Sequence, residues 1–513
     1  MAIKEIKISR FDGGMIGEDR DFGDGYFKYL ENVLVGDKIN SIKQTPNTTN
    51  TVNDRHIVAM QEVGGTIYGL GWENGGTQDV TVYSGSFNTA FSALTSGTVA
   101  STNLRTNSPL FEYYNGVLYF DAGSYVASYT IATNTMNATY SAISGGLKGG
   151  AVWQGNIYGW GNTNTKTVYV TNTSTAVTTA MISVPSDQTI VDLIPYGNYL
   201  AIICTSTSTT SRMYLWDGVT TTTFADIVDI GYGTVAGADI LDGQIYALIA
   251  FPNLKGFRLK IYTGSVFKTL LNYDARANSA NTLIYCEPAS RLKAFTGYLY
   301  FLIVGSRPYS TYASIYEMSL FRYGKKDSSK QNTLSVIKSI ECTDNLTVGS
   351  TLGSVRNDFI VTEKYSTTVS SSFPKQQIVS TILTGASTMT EVKTAIDSNN
   401  AVYTSQDGVV ETGLYTGADA SKEKYLKGIS AYFSPLPSGG SVQLFYKKNE
   451  DTTWTHIFNE TTANAISHEA VNIESTGTIL PIFREIAFRA ELGGGAELTG
   501  LKFKYEEEQN LYG

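Results

Sequence analysis

The stretches PYGNYLAII at 195–203 and LDGQIYALI at 241–249 decide the fold prediction. Each contains a turn with a Gly and continues into an apolar run that includes a Tyr. Four further copies share this pattern: GGTIYGLGW at 64–72, YYNGVLYF at 113–120, WQGNIYGWG at 153–161 and FTGYLYFLI at 295–303. A near-continuous apolar run is typical of a strand that is buried on both faces, so each copy predicts a tight turn that enters an inner strand.

The copies recur at a regular spacing. Their marker glycines are Gly65, Gly116, Gly155, Gly197, Gly243 and Gly297. The gaps between these glycines are 51, 39, 42, 46 and 54 residues, and four-stranded propeller blades repeat over about 40–50 residues. The spacing therefore predicts an all-β chain with a β-propeller at 51–365, in which the six glycines occupy equivalent blade turns. Six unrelated hairpins in a sandwich are the alternative.

The number of blades is six or seven. Beyond the sixth copy, SIYEMSLFRYG at 314–324 and VRNDFIVTEK at 355–364 provide strands for a seventh blade. The N-terminal segment is a candidate to close the ring by pairing with the last blade.

The repeat stops at STTVSSSFP (366–374), where a polar stretch with a Pro predicts a domain boundary. In the linker at 366–424, Thr388 and Glu391 form a capping box, which predicts one short helix. From 425 to 513, segments such as FREIAFRAEL (483–492) alternate apolar and charged residues. That alternation predicts a C-terminal antiparallel β-sandwich with one face in the core and one in solvent.

Composition excludes several classes of protein. The chain has 513 residues, a net charge of −8 and only 16% charged residues. A nucleic-acid-binding surface needs clustered Lys and Arg, so specific DNA binding is not expected. The three cysteines, Cys204, Cys286 and Cys342, are too far apart for a disulfide framework or a zinc site. No apolar run approaches the ~20 residues of a membrane span.

The motifs of catalysis are missing from the sequence. The three histidines, His56, His456 and His468, have no His or Cys at ligand spacing, and no P-loop or nucleophile elbow occurs. An EF-hand that began at Asp19 would need Gly at 24 and Glu at 30, where the chain has Asp24 and Leu30. We therefore expect no enzymatic activity, no cofactor and no metal.

Three acids near turn ends keep a glycosidase alternative open. They are Asp121, Asp239 and Asp242. Some propellers hold a pair of catalytic carboxylates in the central channel. However, Asp in such turns more often accepts hydrogen bonds from backbone N–H groups, and sequence spacing alone does not pair these three.

The two ends of the chain resemble tail proteins of tailed bacteriophages. At the N-terminus the resemblance rests on Phe11, Gly13, Gly14, Asn32, Val33, Gly36 and Pro46. At the C-terminus it rests on KGISAYFSPLPSGGSVQLFYKKNEDTTW (427–454) and FREIAFRAELGGGAELTGLKFKYE (483–506). With the repeated middle, the chain is most similar to the propeller-bearing nozzle of short-tailed phages. The ending GGAELTGLKFKYE (494–506) is also similar to baseplate or tip proteins of long-tailed phages.

The resemblance implies a structural component of the virion tail, made in the host cytoplasm. It would form a closed homo-oligomeric ring, expected to be a hexamer, as a nozzle or tail-tip hub that contacts other tail proteins. DNA would pass through its lumen without specific binding. A receptor-binding tail-tip protein that recognises a host surface glycan or protein is the alternative, and an enzyme that degrades such a glycan comes third.

Residues 1–50 are predicted to be an extended N-terminal docking arm. Its aromatic and apolar residues are Phe11, Phe22, Tyr26, Phe27, Tyr29 and Leu30. Such side chains need a partner surface. Docking on a neighbouring subunit and packing on the chain's own propeller both remain open.

Overall fold

The computed structural model places most of the chain in β-strands. It describes residues 3–11, 14–15, 26–31, 33–38, 41–44, 48–53, 55–73, 79–85, 92–94, 99–100, 110–251, 256–274, 286–288, 292–295, 297–306, 316–324, 332–342, 348–355, 359–366, 376–382, 389–394, 408–417, 421–449, 451, 453–471 and 481–507.

Seven short strands come first. They are β1 (Ile3–Ile8), β2 (Gly14–Met15), β3 (Tyr26–Phe27), β4 (Tyr29–Glu31), β5 (Val33–Lys38), β6 (Ser41–Gln44) and β7 (Thr48–Asn53). β2 and β3 pair with each other in parallel.

Seven sheets then follow one another along the chain, and we number them sheets 1 to 7. Sheet 1 contains β8 (Arg55–Val63), β9 (Thr66–Glu73), β10 (Asp79–Gly85), β11 (Ser92–Ala93) and β12 (Val99–Ala100). Sheet 2 contains β13 (Phe111–Tyr114), β14 (Val117–Asp121), β15 (Tyr125–Thr130) and β16 (Thr135–Ala142). Sheet 3 contains β17 (Leu147–Trp153), β18 (Asn156–Gly161), β19 (Thr167–Asn172) and β20 (Val177–Ser183).

Sheets 4 to 7 continue the same meander. Sheet 4 contains β21 (Thr189–Tyr196), β22 (Tyr199–Thr205), β23 (Ser211–Trp216) and β24 (Asp226–Gly231). Sheet 5 contains β25 (Thr234–Leu241), β26 (Gln244–Ala250), β27 (Gly256–Tyr262) and β28 (Phe267–Asp274). Sheet 6 contains β29 (Cys286–Pro288), β30 (Lys293–Phe295), β31 (Tyr298–Ser306), β32 (Tyr316–Gly324) and β33 (Thr333–Cys342). Sheet 7 contains β34 (Val348–Val355), β35 (Phe359–Ser366), β36 (Gln376–Ile382) and β37 (Met389–Thr394), and it is completed by β7.

The contacts between neighbouring sheets run from sheet 1 to sheet 7 and then from sheet 7 back to sheet 1. The strand before the first turn of each sheet contacts its counterpart in the next sheet, in the order β8, β13, β17, β21, β25, β30 and β34, and β34 contacts β8 again. β7 pairs in parallel with β37, the last strand of sheet 7, before the chain enters sheet 1. This succession of antiparallel sheets is consistent with a β-propeller, and it includes the predicted pairing of an N-terminal segment with the last sheet.

The apolar phrases form the strand after the first turn in sheets 1 to 6, and this strand lies between two others, as predicted for an inner strand. β22 and β26 are buried along nearly their whole length, whereas the fourth strands β20 and β24 are largely exposed. The second strand is covered on both faces by neighbouring sheets, which explains its apolar run.

Two predictions on the segment after 365 are wrong. β35 ends at Ser366, and β36 and β37 follow it in the same sheet, so the sheet continues beyond the predicted domain boundary. The predicted helix is also incorrect, because Met389–Thr394 is a strand that pairs with β36 on one edge and β7 on the other. Pairing on both edges overrides the short local capping signal, whose Thr388 lies outside the described residues.

Eight strands follow sheet 7. They are β38 (Gly408–Glu411), β39 (Lys424–Phe433), β40 (Ser441–Lys448), β41 (Thr455–Glu460), β42 (Ser467–Val471), β43 (Ile482–Phe483), β44 (Ile486–Gly493) and β45 (Glu497–Glu507).

These strands form two sheets that pack on each other and that we call the two-layer unit. One layer has the order β42-β39-β45-β6-β5, with β1 on β45 and β43 on β39. The other has the order β4-β38-β44-β40-β41. Between the layers, the rings of Phe488 and Phe503 lie 4.8 Å apart. The alternation at 483–492 buries Ile486, Phe488 and Ala490.

The N-terminal docking arm is also a wrong prediction. β1 pairs with β45 along its whole length, from Ile3 opposite Glu506 to Ile8 opposite Leu501. β4 pairs with β38, and β6 pairs with β45. The first strands of the chain therefore complete sheets whose other strands lie near its end, and they cover edges that would otherwise expose unpaired backbone groups.

The predicted docking residues lie in the chain's own core. Phe11, Phe27, Tyr29 and Leu30 are buried there, and the rings of Phe11 and Phe27 stack at 5.6 Å. Of the other two, Phe22 lies outside the described residues, and Tyr26 is described only as the first residue of β3. This core extends from the two-layer unit to sheet 6, whose strand β33 contacts β2, β4 and β5.

Candidate functional site

The six marker glycines lie in the turn between the first and second strands of sheets 1 to 6. All have positive φ: Gly65 (85°), Gly116 (81°), Gly155 (76°), Gly197 (58°), Gly243 (75°) and Gly297 (79°). In sheet 2, Asn115 also has a positive φ, of 48°, as a type I′ turn between right-twisted strands requires. In sheet 4, Gly197 takes the first position of the turn. These glycines shape the loops along one edge of the sheets.

Asp121 joins sheet 2 to sheet 3. Its carboxylate is 2% exposed, and its Oδ1 accepts hydrogen bonds from the N–H groups of Gly123 (3.2 Å) and Leu147 (3.0 Å). Burial raises the pKa of this carboxyl to about 6, and the two backbone hydrogen bonds oppose the shift. Gly146 leaves the space that the carboxylate occupies, since a Cβ there would lie 2.6 Å from Oδ1.

Two carboxylates on the first strands join sheets 4, 5 and 6 in the same way. Asp192 in β21 accepts a hydrogen bond from the N–H of Ala238 in β25 (3.3 Å). Asp239 in β25 accepts one from the N–H of Ala294 in β30 (2.7 Å). Burial raises the pKa of Asp239, whereas the charge of Lys293 lowers it. Both carboxylates therefore tie one sheet to the next.

The structure does not bring the three predicted acids together. Asp121 lies in sheet 2, whereas Asp239 and Asp242 lie in sheet 5. Asp242 is exposed, with a positive φ of 51° in the β25–β26 turn. Asp121 and Asp239 accept hydrogen bonds from backbone N–H groups, which matches the structural role expected for Asp near such turns.

Two of the histidines contact aromatic side chains in the two-layer unit. His468 stacks on Phe458 at 4.1 Å, and its Nδ1 lies 2.8 Å from Glu460 Oε2. This hydrogen bond is the main reason that the pKa of Glu460 falls to about 2. His456 lies edge-on to Phe445. Among the described residues, no three His, Cys, Asp or Glu side chains gather as a metal site would require. None of the described residues forms a helix with the length and hydropathy of a membrane span.

A groove on the outer face of the two-layer unit was not predicted. Its volume is about 530 Å³, and small-molecule sites usually measure about 300–1,000 Å³. Its lining residues are Glu5, Lys7, Ser9, Arg10, Tyr432, Thr499, Gly500 and Lys502. They come from β1, the segment that follows it, β39 and β45.

The groove carries an excess of positive charge. Lys7 and Lys502 are directly opposite each other in the β1–β45 register, and Arg10 lies at the same groove. Glu5 is the one acidic residue among the lining residues. The Nζ of Lys502 lies 5.7 Å from the centre of the Tyr432 ring, a cation–π distance. No sequence signal reveals this cluster, because the pairing joins strands from opposite ends of the chain.

Comparison with known proteins assigns the chain to no family. No family model matches the chain, and no curated protein matches it. Among solved structures, the computationally designed Ika8 protein matches at 8% identity and a TM-score of 0.36, covering 62% of this chain and 96% of that one. A mitotic checkpoint complex matches at 11% identity and a TM-score of 0.37, covering 62% of this chain and 86% of that one. Since both TM-scores lie below 0.5, the description of the fold rests on strand order and on the contacts between sheets.

Proposed function

We propose that the chain is a structural component of a bacteriophage virion tail. In this proposal, copies form a closed ring, as a nozzle or tail-tip hub, around the channel through which DNA is ejected. Sheets 1 to 7 form a seven-bladed propeller, and the two-layer unit is a β-sandwich attached to it.

One observation carries the proposal. The two segments that resemble tail proteins lie at opposite ends of the chain, and they meet in the two-layer unit. From the N-terminal segment, Phe11 and Val33 are buried in the same core as Phe488 and Phe503 from the C-terminal segment. The two segments are distant in sequence but form one unit. A resemblance in both of them is therefore more specific evidence than a resemblance in one segment alone.

The seven-bladed assignment is supported by the order of contacts between first strands. These contacts run through all seven sheets and return from β34 to β8. β7 adds a strand from before sheet 1 to the outer edge of sheet 7. Sheet 7 therefore contains strands from both ends of the repeat. This shared sheet would hold the ring of seven blades closed.

A passive conduit is compatible with the chemistry of the described residues. The net charge is −8, and a surface that does not retain phosphates would let DNA pass. Asp121, Asp192 and Asp239 hold neighbouring sheets together through backbone N–H groups. We accordingly propose a non-enzymatic role.

Native mass spectrometry of the purified full-length chain, combined with negative-stain electron microscopy, tests the ring. We expect a single closed oligomer, a hexamer, with a central opening wide enough for a DNA duplex. A monomer at all accessible concentrations, or an oligomer without a central opening, would contradict the ring. The same particles, mixed with duplex DNA at physiological salt, should show no sequence-specific binding.

A second candidate function is favoured by the groove on the two-layer unit. Its volume of about 530 Å³ lies within the range of sites that bind small molecules. It favours the alternative of a tail-tip protein that recognises a host surface glycan. Inhibition of phage adsorption by the purified chain would separate this role from that of a ring component.

A further inference from the structure

The turns between the first and second strands of sheets 2, 3 and 5 share one backbone conformation. In each hairpin the residues that flank the turn lie directly opposite each other, so the loop has two residues. The φ values of the two loop residues are 48° and 81° at Asn115-Gly116, 47° and 76° at Gln154-Gly155, and 51° and 75° at Asp242-Gly243. Two positive values are typical of a type I′ turn. The three turns therefore differ mainly in the side chain of their first residue.

The turn of sheet 2 has the pair of residues that is most prone to attack by the backbone on a side-chain amide. The backbone nitrogen of Gly116 closes a five-membered ring when it bonds to the Cγ of Asn115. Apart from chain neighbours, no heavy atom of the described residues lies within 4 Å of the place that a Cβ on Gly116 would take. Asn115 is exposed at the tip of the hairpin. Neither a side chain nor a neighbouring element therefore shields the two reacting atoms from each other or from water.

We propose that Asn115 is a site of spontaneous deamidation, at which water converts the side chain to aspartate and isoaspartate. The Gly116 nitrogen gives up its proton and bonds to the Cγ of Asn115. The C–N bond of the carboxamide breaks, and the amide nitrogen leaves as ammonia with that proton. Water then adds to either carbonyl of the cyclic imide and opens the ring. Water is the only co-reactant, and the assignment neither depends on the proposed ring nor follows from it.

The hairpin does not have to open for the imide to form. The five-membered ring holds the ψ of Asn115 at roughly −120°, and with a φ of about +60° this is the first central position of a type II′ turn. Asn115 already has a positive φ. Gly116 has to change to a negative φ, which Gly adopts as readily as a positive one. Because type I′ and type II′ turns both match the twist of paired strands, the flanking strands can stay paired.

The turns of sheets 3 and 5 provide comparisons within the same chain. Gln154 would have to close a six-membered ring, and its additional rotatable bond lowers the fraction of side chains in an attacking geometry. A carboxylate such as that of Asp242 is a poorer electrophile than a carboxamide. Both residues are exposed, as Asn115 is, and have nearly the same φ. Differences in rate among the three turns therefore report the side chain and not the backbone.

The products change sheet 2 at the turn that sets its register. Aspartate adds a negative charge, and isoaspartate adds one methylene to the backbone of a two-residue loop. Because loop length fixes the register of a hairpin, isoaspartate should weaken the pairing of β13 with β14. Asp121, which joins sheet 2 to sheet 3, is the last residue of β14. The modification therefore affects a strand that holds two neighbouring sheets together.

Peptide mapping by mass spectrometry of the full-length chain tests the proposal. The chain is incubated for defined times at neutral and at mildly alkaline pH, and isoaspartate is identified by labelling with isoaspartate methyltransferase. We expect Asn115 to be converted at least about tenfold faster than Gln154 or Asp242. Conversion should accelerate as pH rises, because the attacking nitrogen has to lose its proton.

Two matched variants exchange the side chains between sheets. Asn115→Gln gives sheet 2 the pair that sheet 3 already contains, and it should slow conversion at position 115 at least about tenfold. Gln154→Asn should make position 154 reactive, at a rate within about tenfold of that of Asn115. A synthetic peptide of residues 111–120 gives the rate without the fold. Unchanged circular dichroism and melting temperature before incubation show that both variants are folded.

Three results would overturn the assignment. The first is that Asn115 stays unmodified in the folded chain over a period in which the peptide is fully converted, which would mean that the turn prevents ring closure. The second is that Gln154 or Asp242 is converted as fast as Asn115. The third is that Gln154→Asn leaves position 154 unmodified while Asn115 reacts, which would contradict the equivalence of the turns.

Discussion

Replacement of Asp121 by Asn should change how stability depends on pH. The buried carboxyl has its pKa raised from 3.8 to about 6. Between these values the folded chain binds the proton more tightly than the unfolded chain does. The free energy of unfolding therefore falls as pH rises through this window, and above pH 6 the decrease is complete. A shift of this size corresponds to about 3 kcal/mol.

Asp121→Asn removes the charge and keeps an oxygen that accepts from the N–H groups of Gly123 and Leu147. Relative to the wild type, this variant should gain up to about 3 kcal/mol as pH rises from 4 to 7. Asp121→Ala also removes the charge, but it leaves two buried N–H groups without an acceptor. It should lose about 1–3 kcal/mol for each of them.

Urea unfolding between pH 4 and pH 8, followed by tryptophan fluorescence, measures both variants. Trp153 and Trp160 lie in sheet 3, which Asp121 joins to sheet 2. A stability difference between Asp121→Asn and wild type that does not change with pH would refute the buried-carboxylate account. Equal stability of the Asn and Ala variants would refute the role of the two hydrogen bonds.

Two further predictions concern the two-layer unit. Phe11→Ala should destabilise the unit by about 3–5 kcal/mol, because Phe11 is 0% exposed and stacks on Phe27. Ile3→Ala, at a position that is 61% exposed in the same segment, should change stability by less than about 0.5 kcal/mol. Equal melting temperatures of these two variants would contradict the packing of the N-terminal segment. The pKa of Glu460 is lowered to about 2 by His468, so its contribution to stability is present above its usual value of 4.5 and is lost as pH falls toward 2. His468→Gln should raise the pH at which β41 and β42, the strands that contain Glu460 and His468, lose hydrogen-exchange protection in acid. An unchanged acid profile would contradict the hydrogen bond between these two side chains.

The sheet repeat was predictable because its signals are local. A positive-φ turn such as Asn115-Gly116 and the apolar run that follows it lie within ten residues of each other. The exposed fourth strands have no comparable signal, so the sequence located the turns and the inner apolar strands but not the outer strands of each sheet. The capping box at 388–391 is also a local signal, and strand pairing on both sides of Met389–Thr394 overrode it.

The two-layer unit and its groove were only partly predictable. The alternation in 483–492 identified strands with one buried face. The last strand of the unit, β45, pairs with residues nearly five hundred positions away, as in Lys7 opposite Lys502, and no local pattern indicates this pairing. Apolar residues such as Phe11 and Leu30 indicated that the N-terminal segment needed a partner surface. Their composition did not reveal that this surface belongs to the same chain.

The proposed function requires that a phage encodes this chain, and electron microscopy of that phage's virions, with a gold label at the C-terminus of this chain, tests it most directly. The account predicts label on purified virions, arranged in a ring around the tail axis and centred on the channel. Virions without label, or label confined to fibres that project away from the tail axis, would contradict a ring around the ejection channel.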